Sequence, residues 1–202
     1  MSGLFITLEG VDGAGKSSHT EWLVDFFTQR GREVVLTREP GGTPLGERLR
    51  ELLLNEPMSQ TSEVLLMFAA RQESVNQVLK PALAANKVVI SDRFTDSTMA
   101  YQGGGRAYSV ERIQQLAEWV HSDTQPQLTL LFDVPLEVAR ARLSATRVMD
   151  RFEKEQESFF LAVRAMYLKL AKQYPERFVV IDSTQSIDAI RTYLDKVLSE
   201  RL

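Results

Sequence analysis

The stretch Gly10-Val11-Asp12-Gly13-Ala14-Gly15-Lys16-Ser17 constrains this chain more than any other eight residues in it. It fits G-x-x-x-x-G-K-[ST] at every fixed position. A β-rich run, Leu4 to Leu8, precedes it, and a helical pattern from Lys16 to about Arg30 follows. Glycines let successive backbone N–H groups converge on an anion with no Cβ in the way. The helix start behind the loop adds its dipole. Such a loop cradles the phosphates of ATP. Lys16 is expected to reach the β- and γ-phosphates and Ser17 to ligate Mg²⁺, with Ser18 completing the ATP-binding stretch from Gly10.

A phosphate loop of this kind needs a strand edge to hang from. Four further apolar runs supply candidates: Glu33 to Thr37, Lys87 to Ser91, Leu128 to Phe132 and Arg177 to Ile181. They are continuous rather than alternating, as expected of strands covered on both faces. Helical periods lie between them. Helices are expected over Leu45 to Leu54, over Ser59 to Ala85, from an N-cap at Ser109, and from Pro135 as first residue to about Leu143. Phe160, Val163, Tyr167, Leu170 and Tyr174 mark another at three- and four-residue steps. Ser186 caps the last, with Ile187, Ile190, Leu194 and Val197 turned to the core. Strands alternating with helices imply an α/β fold: a five-stranded parallel sheet of P-loop NTPase type, flanked by helices, with ligands at the carboxyl ends of the strands. No repeat or linker divides residues 1–202, so one domain is expected.

Composition narrows the chemistry. The chain has no Cys, which excludes disulfides, thiolate metal sites and Cys nucleophiles, and its two His, His19 and His121, cannot build a His-rich metal centre. A net charge of −3 gives no basic field for nucleic acid. No apolar run approaches the ~20 residues of a membrane span, and the first residues lack a basic, cleavable leader, so a cytoplasmic protein is expected.

Other residues at strand ends suggest a second anionic substrate. Asp92-Arg93-Phe94 directly follows the third strand: the acid can hold the Mg²⁺ shell and the arginine can grip a phosphate bidentately. Asp133, at the end of the fourth strand, is the alternative acid, although Val134-Pro135 after it suits a capping or turn role. Arg38, in the rigid loop Thr37-Arg38-Glu39-Pro40-Gly41-Gly42-Thr43, can hold a second phosphate, while Glu39 would serve as a base in a nucleoside kinase. His19 reads as helix surface or packing. No Asn-Lys-x-Asp guanine motif accompanies the loop.

Taken together, these pieces resemble the bacterial thymidylate (dTMP) kinase family. The resemblance rests on the phosphate loop with Asp12, the Thr37–Thr43 loop, Phe68-Ala69-Ala70-Arg71, Asp92-Arg93-Phe94, Ser97-Thr98, Tyr101-Gln102-Gly103-Gly104-Gly105-Arg106 and Asp150-Arg151-Phe152-Glu153, in family order. It implies transfer of the ATP γ-phosphoryl to dTMP with Mg²⁺, by a homodimer. It also implies that Phe68 stacks on the thymine ring, Arg71 and Thr98 contact the base, and Tyr101 packs under the deoxyribose. Ser97 and Gln102 line the same pocket, and Asp12 contacts the 3′-hydroxyl side. Gly13 stands where eukaryotic-type members carry an arginine. The resemblance therefore puts the catalytic arginine in a lid over about residues 142–153, with Arg142, Arg147 and Arg151 as candidates, Arg151 and Arg147 taken to act with Lys16 and Arg93. Another nucleoside monophosphate or deoxynucleoside kinase, or a non-catalytic ATP-binding regulator, are the alternative readings.

Overall fold

The computed structural model of the chain describes residues 2–143, 151–152 and 155–201. Among them a five-stranded parallel sheet runs in the order β2-β3-β1-β4-β5. Its strands are β1 (Leu4–Glu9), β2 (Val34–Arg38), β3 (Val88–Asp92), β4 (Leu128–Asp133) and β5 (Phe178–Asp182). Each lies within a residue of its expected limits. The chain leaves the central β1 for β2 at one edge, returns to β3, then crosses to β4 and β5 on the other side. This reversal opens a crevice at the carboxyl ends of the strands. Registry concentrates charge there. Leu8 and Arg38 each pair with Asp92, Glu9 with Leu131, and Asp133 with Asp182.

Burial follows position in the sheet. β1 is buried throughout, and β3 and β4 up to their final aspartates. The outer strands depart from the expectation of double cover: Leu36 of β2 and Val180 of β5 are exposed. On the inner strands Thr7 and Thr129 satisfy each other through their hydroxyls at 2.9 Å.

The helices begin where short polar side chains cap them. Helix α1 (Ser17–Thr28) grows straight out of the phosphate loop. Helix α2 (Pro44–Asn55) starts behind Thr43, whose hydroxyl accepts from the Gly46 amide at 3.0 Å. Ser59 caps α3 (Gln60–Ser74), which continues through a π-helical turn, Val75–Leu79, into α4 (Lys80–Ala84). That single path replaces the uniform helix expected from Ser59 to Ala85. A short α5 (Thr95–Thr98) runs into a second π-helical segment, Met99–Gly105, which the sequence did not announce. Ser109 caps α6 (Val110–His121) as expected. In α7 (Leu136–Leu143), Pro135 stands one place before the helix, its carbonyl accepting from Val138 and Ala139. Helix α8 (Glu157–Gln173) buries Phe160, Val163, Tyr167 and Leu170, but Tyr174 lies beyond its end and is exposed. Ser186 accepts from Ala189 at the start of α9 (Ile187–Arg201), which buries Ile190, Leu194 and Leu198. Ile187 is 48% exposed, a correction to the core-facing role expected of it. At the first position of the helix its side chain leaves before the apolar stripe meets the sheet. No helix among the described residues is long and apolar enough to cross a membrane.

Candidate active site

The loop after β1 packs backbone against backbone. Gly10 has φ +137°, and a Cβ there would meet the Phe132 carbonyl at 2.4 Å. Gly13 has φ +80°, with the Ala139 carbonyl at 2.3 Å from such an atom. Neither position can carry a side chain without displacing backbone. Val11 and Ala14 are buried beneath the loop, while Ser17 and Ser18 are exposed on the first turn of α1. Lys16 is only 8% exposed. Its Nζ donates to the Gly10 carbonyl at 3.2 Å and lies 3.9 Å from Asp92 Oδ1. Burial and then Arg93 push the Lys16 pKa down, against the pull of Asp92 and Asp12. An incoming polyphosphate would reverse that balance. Asp92 Oδ1 is itself buried with no hydrogen-bond partner. Asp133 is taken up differently. Arg164 of α8 grips its two oxygens at 2.7 and 2.8 Å, an ion pair rather than the cap or turn expected of it.

Arg93 occupies the middle of the crevice, and its backbone pays a conformational penalty to be there: φ is +71°, the left-handed region that residues other than glycine rarely adopt. Its guanidinium donates to Asp12 at 2.7 Å, Tyr101 at 3.0 Å, the Gly10 carbonyl at 3.1 Å, and the hydroxyls of Ser97 and Tyr167 at 3.2 Å each. Burial alone would raise the Asp12 pKa; Arg93 and Lys16 outweigh it and hold the carboxyl at about 2. Behind Arg93 lies Glu9, fully buried at the end of β1. It accepts from the Phe94 amide and from Tyr167 at 2.8 Å each, and from Ser97. Burial, followed by Asp96, raises the Glu9 pKa to about 7.

Beside Arg93 opens a cleft with convergent polar and aromatic walls. Asp12, Arg93, Ser97, Thr98, Tyr101 and Gln102 line one side of it. Glu39, Arg50, Met67, Arg71 and Phe152 also line it. Arg71 and Glu39 form a buried pair at 2.7 Å, exposed by only 2% and 3%, and Arg71 Nη2 donates to Thr98 at 3.1 Å. Arg71 Nη1 and Glu39 Oε1 have no partner. One donor and one acceptor thus stand ready for a polar planar ligand. Tyr101 meets the ring of Phe152 edge-on at 6.2 Å.

Several expected residues lie elsewhere. Arg38 is outside the cleft, gripping Glu47 at 2.8 and 3.3 Å in a separate hollow that also reaches Asp92. Alternation along the extended chain is the reason: Arg38 and Glu39 point to opposite sides, and Glu39 takes the cleft. Phe68 is 3% exposed and belongs to the core. Its ring lies under the Arg71 guanidinium and parallel to His121, and it does not line the cleft. The cleft residue of that stretch is Met67, one helical turn before Arg71. Arg151 does not face the phosphate loop. It donates to the Leu53 carbonyl at 2.8 Å and to Glu63 at 2.7 Å. Arg142 does reach the loop, donating to the carbonyls of Gly13 at 3.4 Å and Ser183 at 2.8 Å. Arg147 lies outside the described residues. His19 is buried and stacked on Phe132, which is packing. Arg50, donating to the Pro40 carbonyl at 2.9 Å, was not anticipated. Its signal was a basic residue one helix beyond the loop that carries Glu39.

A phosphate loop facing an arginine and a cleft with base-pairing groups narrows the family. The family model described as thymidylate kinase matches residues 8–193. The chain belongs to the thymidylate kinase family. It is 57% identical over 198 residues to a thymidylate kinase from Janthinobacterium sp. (strain Marseille), covering 98% of this chain and 97% of that one. It is 56% identical to a thymidylate kinase from Cupriavidus metallidurans over 98% of this chain and 99% of the relative. Among solved structures, that of thymidylate kinase from Ehrlichia chaffeensis superposes with a TM-score of 0.81 at 35% identity, covering 98% and 99% of the two chains. The parallel sheet and its flanking helices are therefore those of a thymidylate kinase.

Proposed function

We propose that this protein is an ATP-dependent dTMP kinase, converting dTMP and ATP to dTDP and ADP. One observation carries the reading beyond family membership. Arg93 stands between the phosphate loop, through Gly10 and Asp12, and the cleft, through Ser97 and Tyr101. A cation at that boundary suits two anions that must approach each other.

The acceptor needs no general base. A phosphate monoester has a second pKa of about 6, so its oxygen is largely ionised at neutral pH. That oxygen forms a bond to the γ-phosphorus as the bond from the β–γ bridging oxygen breaks, and ADP leaves. Catalysis is then alignment and charge neutralisation. Lys16 supplies charge at the γ-phosphoryl, Arg93 holds the acceptor phosphate, and Asp12 orients Arg93 and the deoxyribose side. Thr98, Gln102 and the free edges of Arg71 and Glu39 read the base. Met67, in place of Phe68, forms the apolar surface against which it lies, and Tyr101 with Phe152 encloses the sugar. Arg38 is left to the triphosphate side, and Arg147, within the lid of residues 142–153, remains the proposed lid cation.

Mg²⁺ fits this site: Asp92 Oδ1 is buried without a hydrogen-bond partner beside Lys16, and the hydroxyl of Ser17 opens the next helix. No cluster of three potential metal ligands occurs among the described residues, which suits an ion held mainly by phosphates and water. When bound, Mg²⁺ neutralises charge on the transferred phosphoryl group.

The whole chain is taken as one kinase domain, cytoplasmic, where its nucleotide substrates are. A homodimer is proposed through exposed apolar residues on the packed helices α3 and α6, Leu65 and Trp119. The deciding assay is ADP release with Mg-ATP and a panel of dTMP, dUMP, UMP, dCMP, AMP, GMP and thymidine. A strong preference for dTMP is expected. Preference for another monophosphate would overturn the pocket assignment, preference for thymidine the phosphate role of Arg93, and no transfer at all the enzymatic reading.

A further inference from the structure

Helix α3 presents Glu63, Met67 and Arg71 at four-residue steps, so the three lie on one face. Two of them line the cleft. Glu63 does not, yet it is only 1% exposed. Its Oε1 accepts from Gln102 Nε2 and from Arg106 Nε, both at 2.9 Å, and its Oε2 accepts from Arg151 Nη2 at 2.7 Å. A buried carboxylate serving two guanidinium groups and an amide is a costly feature of a core. What it holds explains why it is there. Gln102 lines the cleft directly. Arg151 lies over the Phe152 ring at 4.7 Å, Arg106 approaches the same ring at 5.4 Å, and Phe152 closes the cleft beside Tyr101. Arg151 also bridges to α2 through the Leu53 carbonyl, and Arg106 bridges to Glu155 at 3.0 Å.

We infer that Glu63 is the positioning residue of the acceptor pocket, and that Arg151 is a strut of that pocket rather than a group acting on the transferred phosphoryl. One carboxylate fixes both the amide that reads the base and, through two arginines, the aromatic wall that encloses the sugar. The inference rests on the dTMP kinase reading. It makes acceptor binding, and not ATP binding or the chemical step, the property sensitive to Glu63.

The test compares the unaltered protein with Glu63→Gln and Arg151→Gln. Glu63→Gln keeps the shape but removes the charge that two arginines share; Arg151→Gln, at a partly exposed position, removes one arm only. Titration calorimetry reads dTMP and ATP affinity separately, and steady-state kinetics reads kcat and the two KM values. In both variants dTMP binding should weaken about tenfold or more, as loss of a supporting hydrogen bond loosens groups that touch ligand. ATP affinity should stay within about twofold and saturated kcat within about threefold on the same argument. A fall in kcat of about 10²–10³ in Arg151→Gln with unchanged dTMP KM would make Arg151 a transition-state group and overturn the inference. Equal weakening of dTMP and ATP would reduce Glu63 to a general stabiliser and overturn it too, as would unchanged dTMP binding. Absence of dTMP binding in the unaltered protein would instead overturn the functional reading on which it stands. Circular dichroism checks folding, and should Glu63→Gln fail to fold, Arg151→Gln decides.

Discussion

Replacing Arg71 by Met should produce a loss of stability that depends on pH. Arg71 and Glu39 are exposed by 2% and 3% and meet at 2.7 Å. At an effective dielectric of about 20, unit charges ~4 Å apart attract by about 4 kcal/mol, and removing one partner of a buried pair costs about 3–5 kcal/mol. That is a large part of a domain's usual ~5–15 kcal/mol. Burial raises the Glu39 pKa above its ordinary value, and Arg71 opposes the rise. Without Arg71 the carboxyl moves further up. A group whose folded pKa is raised contributes stability at low pH and loses it as pH rises through the folded value. The deficit of Arg71→Met relative to the unaltered protein, read by urea unfolding, should therefore be larger at pH 8 than at pH 5, because a falling pH favours the protonated Glu39 carboxyl. The double variant Glu39→Gln with Arg71→Met should recover much of the loss at pH 8, because no uncompensated charge remains. A deficit equal at both pH values, or no recovery in the double variant, would refute the argument.

Lys16→Ala should lower kcat by roughly 10²–10³ in the ADP-release assay, the effect of removing one anion-stabilising donor. Normal turnover would remove Lys16 from the γ-phosphoryl. Met67→Ala and Phe68→Ala should separate cleanly. The first should weaken dTMP binding in calorimetry with little change in unfolding, whereas the second should lose about 3–5 kcal/mol of stability in urea, since it empties a core site. The reverse pattern would restore Phe68 to the pocket. Glu9→Gln should flatten part of the pH dependence of stability. With its carboxyl raised to about 7, Glu9 stabilises the fold at low pH and loses that contribution between about pH 4.5 and 7. Across that window the unaltered protein should lose on the order of 3 kcal/mol relative to the variant, and parallel curves would reject the buried-acid account.

What could be read in the sequence was what local chemistry determines. The phosphate loop is a run of contiguous residues whose glycines answer to backbone geometry alone. The strands were found because their apolar runs are continuous, a record of burial on both faces in the inner three and of β-rich composition in the two outer ones, and the helix starts because Ser59, Ser109 and Ser186 cap them. The π-helical segments left no such mark. Their hydrogen bonds skip one residue more than those of an α-helix, and no side-chain period announces the shift. Between Met99 and Gly105 this winding brings both Tyr101 and Gln102 to the cleft, although they are adjacent in sequence.

The misplaced residues all involve an orientation decided by tertiary packing or by which side of the chain a residue leaves. Successive residues on a helix are turned by about 100°, so Met67 and Phe68 face different neighbours. Phe68 joins the stripe of Val64 in the core, and Met67 that of Glu63 and Arg71. Four-residue spacing from Arg71 was available in the sequence, but the aromatic ring was the stronger lure. Arg151 shows the limit more sharply. Nothing within ten residues of it names Glu63 or the Leu53 carbonyl as its partners, 88 and 98 residues away. A basic residue next to a phosphate-handling segment suggests an anion; here a carboxylate of the protein itself satisfies it. The same substitution of internal for external partners accounts for Arg38, held by Glu47, and for Asp133, held by Arg164. Arg93 is the counterexample. Its neighbours satisfy it too, but Asp12, Ser97 and Tyr101 all stand on the wall of the cleft, so the network that restrains it also presents it to ligand. A charged residue is assigned to a ligand, then, by where its partners stand and not by whether it has them.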